Sequence, residues 1–307
     1  MRIGVMLPVG PRSITQAVEA AVVAEQAGFS SAWLANVGID ALTVLALAGK
    51  ETERIELGTA VVPTYPRHPV MLAQQAATVQ AAIGGRLALG IGLSHRVAIE
   101  DGLGLDYSRP IPHTREYLTI LNGLLEGQRV EFKGELYRVN SAINTYGAPK
   151  PPILVAALGP DMLRLCGRLA DGTLTWMGGL SYLRDFAVPR ISAAAQKAGR
   201  PAPRIVAALP ICVTQDIAGA REYAEQIYAN YGRLPSYRGA LDHGGASGPG
   251  DIVVVGSEHE IERQLHEFAQ AGVTDFVASL FRAPGASDHG TYELLSALAR
   301  RAEVPAQ

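Results

Sequence analysis

Short apolar runs rich in β-branched residues alternate along this chain with longer stretches whose apolar positions recur every three or four residues. The short runs lack the polar alternation of a sheet with one wet face, which is the pattern of parallel strands covered on both sides. They predict strands at Ile3–Leu7, Ser31–Ala35, Ile55–Val62, Leu87–Ile91, Ile153–Ala157, Gly172–Trp176, Ile205–Val213 and Asp275–Leu280. The stretches between predict helices at Thr15–Ala27, Ala41–Lys50, Pro69–Ala82, Pro112–Leu125, Asp161–Leu169, Tyr182–Lys197, Ile217–Tyr231 and Glu258–Ala271. A last helix, Tyr292–Arg301, closes the chain. Eight strands, each followed by a helix, predict an α/β protein whose sheet closes as a (β/α)8 TIM barrel with insertions. A doubly wound sheet would need fewer strands and a glycine-rich first turn, and Pro8-Val9-Gly10-Pro11 is not Gly-x-Gly-x-x-Gly.

Local signals fix several boundaries. Ala27-Gly28 and Ala271-Gly272 each place glycine where a helix ends before a strand. Asp161, after Gly159-Pro160, is expected to receive the exposed amides of the helix it opens. Within the long connection Arg129–Lys150, VEFKGELYRV reads as a small hairpin outside the barrel. Gly232–Gly250 is rich in Gly, Ser, Pro and Tyr and has no periodicity, so it is expected to be a lid or insertion near a barrel mouth. No internal repeat of solenoid length occurs, and residues 1–307 are expected to form one domain.

The 307 residues are 48% hydrophobic, enough for one large core without metal or disulfide support. The formal net charge is -2 and no basic run occurs, which argues against nucleic-acid and anionic-membrane partners. Cys166 and Cys212 form no Cys-x-x-Cys pair and sit in apolar contexts, the expectation for reduced core thiols in a cytoplasmic protein. MRIGVMLPVG starts directly with a strand and has neither the apolar stretch nor the cleavage site of a signal peptide. No later run is long enough to span a bilayer.

Ligands of a parallel barrel bind over the carboxyl ends of its strands. The candidates are therefore Pro8 and Val9, Asn36, Ala60 to Thr64, Gly92 to His95, Ala157 to Pro160, Trp176 to Gly179, Thr214, and Phe281 with Arg282. This set holds no paired carboxylates, no nucleophile elbow and no His, Cys and Asp cluster at metal spacing. Metal-assisted hydrolysis, acyl-enzyme chemistry and glycosidase chemistry are poorly supported, and no metal is expected. Small residues, amides and apolar walls remain. Such a mouth suits a flat conjugated ring that itself carries the reaction on a small-molecule substrate.

The motifs at these positions have a further meaning. Leu57-Gly58-Thr59-Ala60-Val61, Arg67-His68-Pro69, Leu72-Ala73-x-x-Ala76-Ala77-Thr78 and Gly84-Gly85-Arg86-x-x-Leu89-Gly90-x-Gly92 follow one another in order. Ala24-Glu25-x-Ala27-Gly28-Phe29-x-Ser31-x-Trp33, Arg115-Glu116-Tyr117, Ala157-x-Gly159-Pro160, Ala170-Asp171-Gly172 and Ala271-Gly272-Val273-Thr274-Asp275 extend the series. Together they resemble the luciferase-like oxidoreductases from the first strand to the last. The Arg-His-Pro element with Gly-Gly-Arg-x-x-Leu-Gly-x-Gly is most similar to the branch that uses the deazaflavin coenzyme F420, which includes the methylenetetrahydromethanopterin reductases. The resemblance implies a TIM-barrel-like fold, a homodimer, and hydride transfer between the F420 ring and a small organic molecule. FMN-dependent monooxygenases and non-catalytic cofactor-binding barrels of the same superfamily are the alternatives.

Carried over residue by residue, the resemblance implies a non-prolyl cis peptide at Ala60–Val61 behind the deazaflavin, where the family commonly has glycine first. The residues alone also allow an ordinary β-bulge with trans peptides. Thr59, Ala60 and Val61 would then touch the cofactor, with Leu93, Ser94 and His95 at the ring edge and Met177 near it. Ala157-Leu158-Gly159-Pro160 resembles the turn that holds the cofactor's phosphate at a helix start, with Asp161 turned outward. His95 could move a proton near neutrality, or merely pack at a helix start. Asn36 stands where relatives often have a polar pair with histidine, and Val37 follows it. That departure favours a reductase, with Asn36 binding ring or substrate. Arg67-His68 and Arg86 read as structural, His113 as a capping or surface group, and Trp176 as core or pocket wall. Tyr231, Arg233, Tyr237 and His243 belong to the expected lid.

Overall fold

The computed structural model describes residues 1–8 and 13–303; Val9 lies outside them. Its strands Arg2–Met6, Ser31–Leu34, Glu56–Thr59, Leu87–Gly92, Ile153–Val155, Gly172–Trp176, Arg204–Val213 and Asp275–Leu280 form the barrel. Each pairs in parallel with its successor, and the eighth returns to the first, so the sheet closes. The predicted eight-stranded barrel is the observed fold. Trp33, Ala88, Leu154, Leu174, Val206 and Val277 fill its interior. A second, larger apolar layer lies between the barrel and its helices. Gly58 makes the interior possible: a Cβ there would lie 2.1 Å from Cε3 of the Trp33 ring.

The third strand departs from its expected span. Instead of running through Ile55–Val62 it stops at Thr59 and resumes as Val62–Pro63, paired with the fourth strand. Between the two pieces the Ala60–Val61 peptide is cis, as the resemblance implies. A Cβ on Gly90 would sit 1.9 Å from the Thr59 carbonyl oxygen. The glycines of the fourth strand are thus what lets the interrupted third strand press so close.

Boundaries marked by glycine agree closely: Gly28 holds a left-handed φ of 88° at the end of Ile14–Ala27. The expected cap at Asp161 does not form. The helix is Pro160–Leu169, its N-cap is Gly159, and no side chain caps it. Pro160 starts this helix because its missing N–H would have no partner there in any case. VEFKGELYRV is the antiparallel hairpin Val130–Lys133 and Arg138–Ser141. Gly232–Gly250, expected to be irregular, is largely helical, with Ala229–Arg233, Pro235–His243 and a 3-10 turn at Pro249–Asp251. Arg238 holds it, bonding Asp242 one turn on and the carbonyls of Ala246 and Ser247. The helix Arg96–Leu103 and the strand Val254–Gly256 beside the seventh strand also lack a sequence prediction.

Arg86 is structural, as read: its guanidinium donates to the carbonyls of Gly49, Thr52, Ile55 and Ile83. Cys166 and Cys212 are buried free thiols. Among the described residues no helix is long and apolar enough to cross a membrane.

Candidate active site

A cavity of about 840 Å³ opens over the carboxyl ends of the strands. Strand-end residues converge on it from around the barrel: Met6, Asn36, Ala60 and Val61, Leu93 to His95, Ala157 to Pro160, Trp176, Ala208 and Ser279. Ten of the twelve residues given a cofactor or catalytic role from sequence therefore border one space: Asn36, Ala60, Val61, Leu93, Ser94, His95, Ala157, Leu158, Gly159 and Pro160. Thr59 and Met177 do not line it. Thr59 is fully buried and its hydroxyl donates to the Gly90 carbonyl at 2.7 Å, tying the third strand to the fourth. Met177 is buried with a left-handed φ of 58° and donates its N–H to the Ala208 carbonyl at 3.2 Å. Both residues hold backbone that the cavity residues stand on. Phe281, at the end of the eighth strand, packs instead with Cys212, Ala220 and Val253.

One wall of the cavity is small and apolar. Ala60 and Val61 pack over the barrel interior, and Gly92 leaves Val61 its room, since a Cβ there would meet Val61 Cγ2 at 2.7 Å. Ser94 has φ 61°, a region few residues other than glycine adopt. That conformation ends the fourth strand and turns the chain toward Arg96–Leu103. Beside it, Gly159 opens onto free space, with nothing within 4 Å of where a Cβ would be. The amides of Asp161 and Met162 fall in the first turn of their helix, where no intrahelical acceptor exists. The Asp161 side chain borders the cavity but is 70% exposed and paired with Arg164 at 2.5 Å, which offsets its charge at a helix start otherwise suited to an anion.

Polar groups are sparse. Asn36 accepts the Ala41 N–H at 3.0 Å on its side-chain oxygen, which leaves its amide hydrogens for another partner. His95 is the N-cap residue of Arg96–Leu103 but makes no side-chain cap bond. Burial pulls its pKa below the ordinary 6.5, so the ring is mainly neutral at pH 7. Its ring centroid lies 5.9 Å from that of Tyr237.

A further part of the lining is aromatic, formed by Trp176, Tyr228, Tyr231 and Tyr237. Tyr231 and Tyr237 come from the region read as a lid, whereas Arg233 is exposed and His243 stacks on Phe186 at 3.8 Å. Tyr228 and Tyr107 were not singled out from sequence. Both lie outside strand ends, Tyr228 in the stretch predicted as the helix Ile217–Tyr231 and Tyr107 in a loop, so a list of strand ends omits them.

Behind Tyr107 lies a buried stack. Tyr65 sits 5.0 Å from Tyr107 and 4.0 Å from His113, ring to ring. His113, expected at the surface, is 5% exposed. Its Nε2 meets the Thr64 hydroxyl at 2.9 Å and its Nδ1 the Tyr137 hydroxyl at 3.3 Å. Burial pushes its pKa down to about 4, offset only in part by Glu116. The helix Pro110–Leu125 starts earlier than expected, so His113 falls within its first turn, on the face that meets the rings of Tyr65, Tyr117 and Tyr137.

Residues 1–275 match the luciferase-like monooxygenase family. The 5,10-methylenetetrahydromethanopterin reductase of Methanolobus tindarius is 28% identical over 292 residues, covering 84% of this chain and 88% of that protein. The F420-dependent glucose-6-phosphate dehydrogenase of Nocardia farcinica is 33% identical over 225 residues, covering 67% of this chain and 66% of that protein. An F420-dependent secondary alcohol dehydrogenase solved with an F420-acetone adduct superposes with a TM-score of 0.77 at 19% identity, over 96% of this chain and 97% of that one. The oxygenating constituent of 3,6-diketocamphane monooxygenase from Pseudomonas putida, solved with FMN, gives a TM-score of 0.75 at 17% identity, over 98% and 97%. At those identities the two superpositions establish a common fold. The sequence match over most of the chain, together with this barrel and its interrupted third strand, establishes the kinship: the chain belongs to the luciferase-like monooxygenase family.

Proposed function

We propose that this protein is an F420-dependent oxidoreductase, working mainly as a reductase on a C=C, C=N or C=O bond of a small organic molecule. The observation that carries the reading is the meeting of Ala60, Val61, Leu93, Ser94, Leu158 and Gly159 on one wall of the cavity. Their small and apolar side chains suit the face of a planar ring. The open position at Gly159 and the uncapped helix start at Pro160 suit the phosphate of a cofactor tail. The donor set therefore fits the deazaflavin coenzyme, and the relatives with F420 in their names support the same choice.

When bound, F420 supplies two electrons as hydride. The chain's own residues do the rest. The wall orients the ring, the tyrosines exclude water, and Asn36 offers an amide donor to a ring carbonyl or substrate. His95 donates the proton that accompanies hydride. We also propose a cytoplasmic homodimer, which light scattering would refute by returning a monomer mass.

Titration of the pure protein with F420 and with FMN, read by fluorescence quenching, tests the reading. Tight F420 binding with weak FMN binding is the expected result. Tight FMN with no F420 binding refutes it in favour of an FMN-dependent monooxygenase. F420 binding without turnover on a broad panel of acceptors would favour a non-catalytic barrel.

A further inference from the structure

Resting on the cofactor reading above, we infer that the acceptor is a neutral, flat, conjugated carbonyl compound, held against the aromatic wall with its carbonyl oxygen accepting the Trp176 indole N–H. Three observations lead there. First, Trp176 Nε1 is buried with no hydrogen-bond partner in the protein, while its ring lines the cavity. A buried indole N–H ordinarily has an acceptor; its nitrogen exposes less than 1 Å² here, so a ligand oxygen would satisfy it once a small rotation turns the N–H edge into the cavity.

Second, the rings near it form a chain of edge-to-face contacts along the cavity lining. Trp176 lies 6.0 Å from Tyr228 and 5.9 Å from Tyr231, both edge to face. Tyr231 lies 4.9 Å from Tyr237, which reaches His95 at 5.9 Å. This chain of rings runs from the indole donor to the imidazole proposed as proton donor. A planar conjugated molecule can lie face-on to one of these mutually tilted rings and meet the edges of its neighbours, with one end toward the indole and the other toward the imidazole.

Third, among the described residues the cavity is lined by no lysine or arginine. Its one carboxylate, Asp161, is paired with Arg164. An anionic acceptor such as a sugar phosphate would bring its charge to the aromatic wall without a counter-charge, at a desolvation cost nothing there repays. The helix start at Pro160 is already taken by the cofactor's own phosphate in this reading. For an alkene conjugated to the carbonyl, the reaction balances simply. Hydride from reduced F420 bonds to the carbon β to the carbonyl, one proton from His95 or water bonds to the α carbon, and the deazaflavin is left oxidised.

Three probes with one skeleton test this: methyl cinnamate, cinnamate, and the carbonyl-free 1-phenyl-1-butene. Calorimetry on cofactor-loaded protein should show methyl cinnamate binding at least tenfold tighter than either of the others. Trp176→Phe, which keeps an aromatic ring and removes the N–H, should weaken methyl cinnamate at least fivefold and leave F420 affinity unchanged. Equal binding of cinnamate, no binding of methyl cinnamate, or no effect in the variant would each overturn the inference. The wild-type comparison of probes stands even if the variant folds poorly. F420 affinity of the wild type, measured alone, separates failure of this inference from failure of the cofactor reading.

Discussion

Gly159 and His95 mark the two kinds of residue the proposed function calls for, one proposed to act by having no side chain and one by holding a proton. A Cβ on Gly159 meets nothing within 4 Å, and its φ of -81° suits any residue, so Gly159→Asp should fold normally. Its carboxylate would face the helix start proposed to hold a phosphate, where a like charge repels the ligand. The expected outcome is F420 affinity reduced at least ~10-fold, about 1.4 kcal/mol, with an unchanged melting curve; retained affinity would show the tail lies elsewhere. Ser94→Tyr is a poorer probe, because φ 61° disfavours a bulky side chain whatever the ligand does. For His95, burial lowers the pKa below 6.5. The imidazolium that can give up a proton grows as pH falls toward that lowered value, so turnover should rise from pH 8 to pH 6. His95→Gln should flatten this profile and lower kcat about 100-fold. An unchanged profile in the variant would assign the proton to another donor. These strand-end positions were legible in the sequence because a parallel barrel brings every carboxyl end to one rim. Thr59 and Met177 sit at the same ends but turn inward, and the sequence carries no sign of which way a residue beside an irregular turn will face.

Among the elements, the hairpin is the one whose attachment matters most for the site. Its turn is held by the Glu116 carboxylate, which accepts the backbone N–H groups of Glu135, Leu136 and Tyr137 at 3.0 Å each. Tyr137 then contacts His113, His113 meets Thr64, and Thr64 donates its N–H to the Gly92 carbonyl at 2.9 Å. The hairpin is thereby linked to the end of the fourth strand, two residues from Ser94. Removing the charge while keeping the shape, Glu116→Gln should cost about 2 kcal/mol, since hydrogen bonds to a charged acceptor are the stronger kind; urea unfolding measures it, and a loss below about 0.5 kcal/mol would mean the turn holds itself. The histidine adds a pH signature. His113 titrates near 6.5 when unfolded and about 4 when folded, so the unfolded chain binds the proton first. Its contribution is complete above pH 6.5 and is lost progressively as pH falls from 6.5 to 4. His113→Gln should melt at a temperature less sensitive to pH across that window, and parallel melting curves for both proteins would refute the assignment. The hairpin itself was legible from alternating residues around Lys133-Gly134-Glu135. The network was not, because Thr64 and Tyr137 lie 49 and 24 residues from His113. Arg96–Leu103 escaped for a different reason: only Ile99 is buried, so it has no apolar stripe to detect. The helices within Gly232–Gly250 escaped because glycine, proline and serine outweigh a helix held by Arg238.

For the whole molecule, the barrel was readable because its signal is a count repeated around a closed sheet, and misplacing one boundary by a few residues leaves eight strands. Its closure at the amino end depends on a feature that no count reveals. Arg204, on the seventh strand, donates to Glu56 on the third and to Asp275 on the eighth, each at 2.6 Å. Arg2, on the first strand, supports the same two carboxylates. Burial alone would lower the Arg204 pKa, but its bonds to Asp275 and Glu56 more than offset this and hold it above the ordinary arginine value. One guanidinium thus spans the floor of the barrel, beneath Trp33, at the end opposite the candidate site. Such a pair contributes little net stability when intact, yet losing one partner leaves a buried charge uncompensated. The Asp275 side chain is 2% exposed, so Arg204→Leu should destabilise the fold by about 3 kcal/mol, moderated by Arg2. Asp275→Asn in the same chain should recover part of that loss by removing the stranded charge. Because the floor and the cavity lie at opposite ends of the strands, F420 affinity should be unchanged at temperatures where the variant is folded. Urea unfolding beside F420 titration checks both halves. Normal stability with weakened F420 binding would mean that the amino-end floor governs the mouth, against the division of labour that the barrel geometry implies.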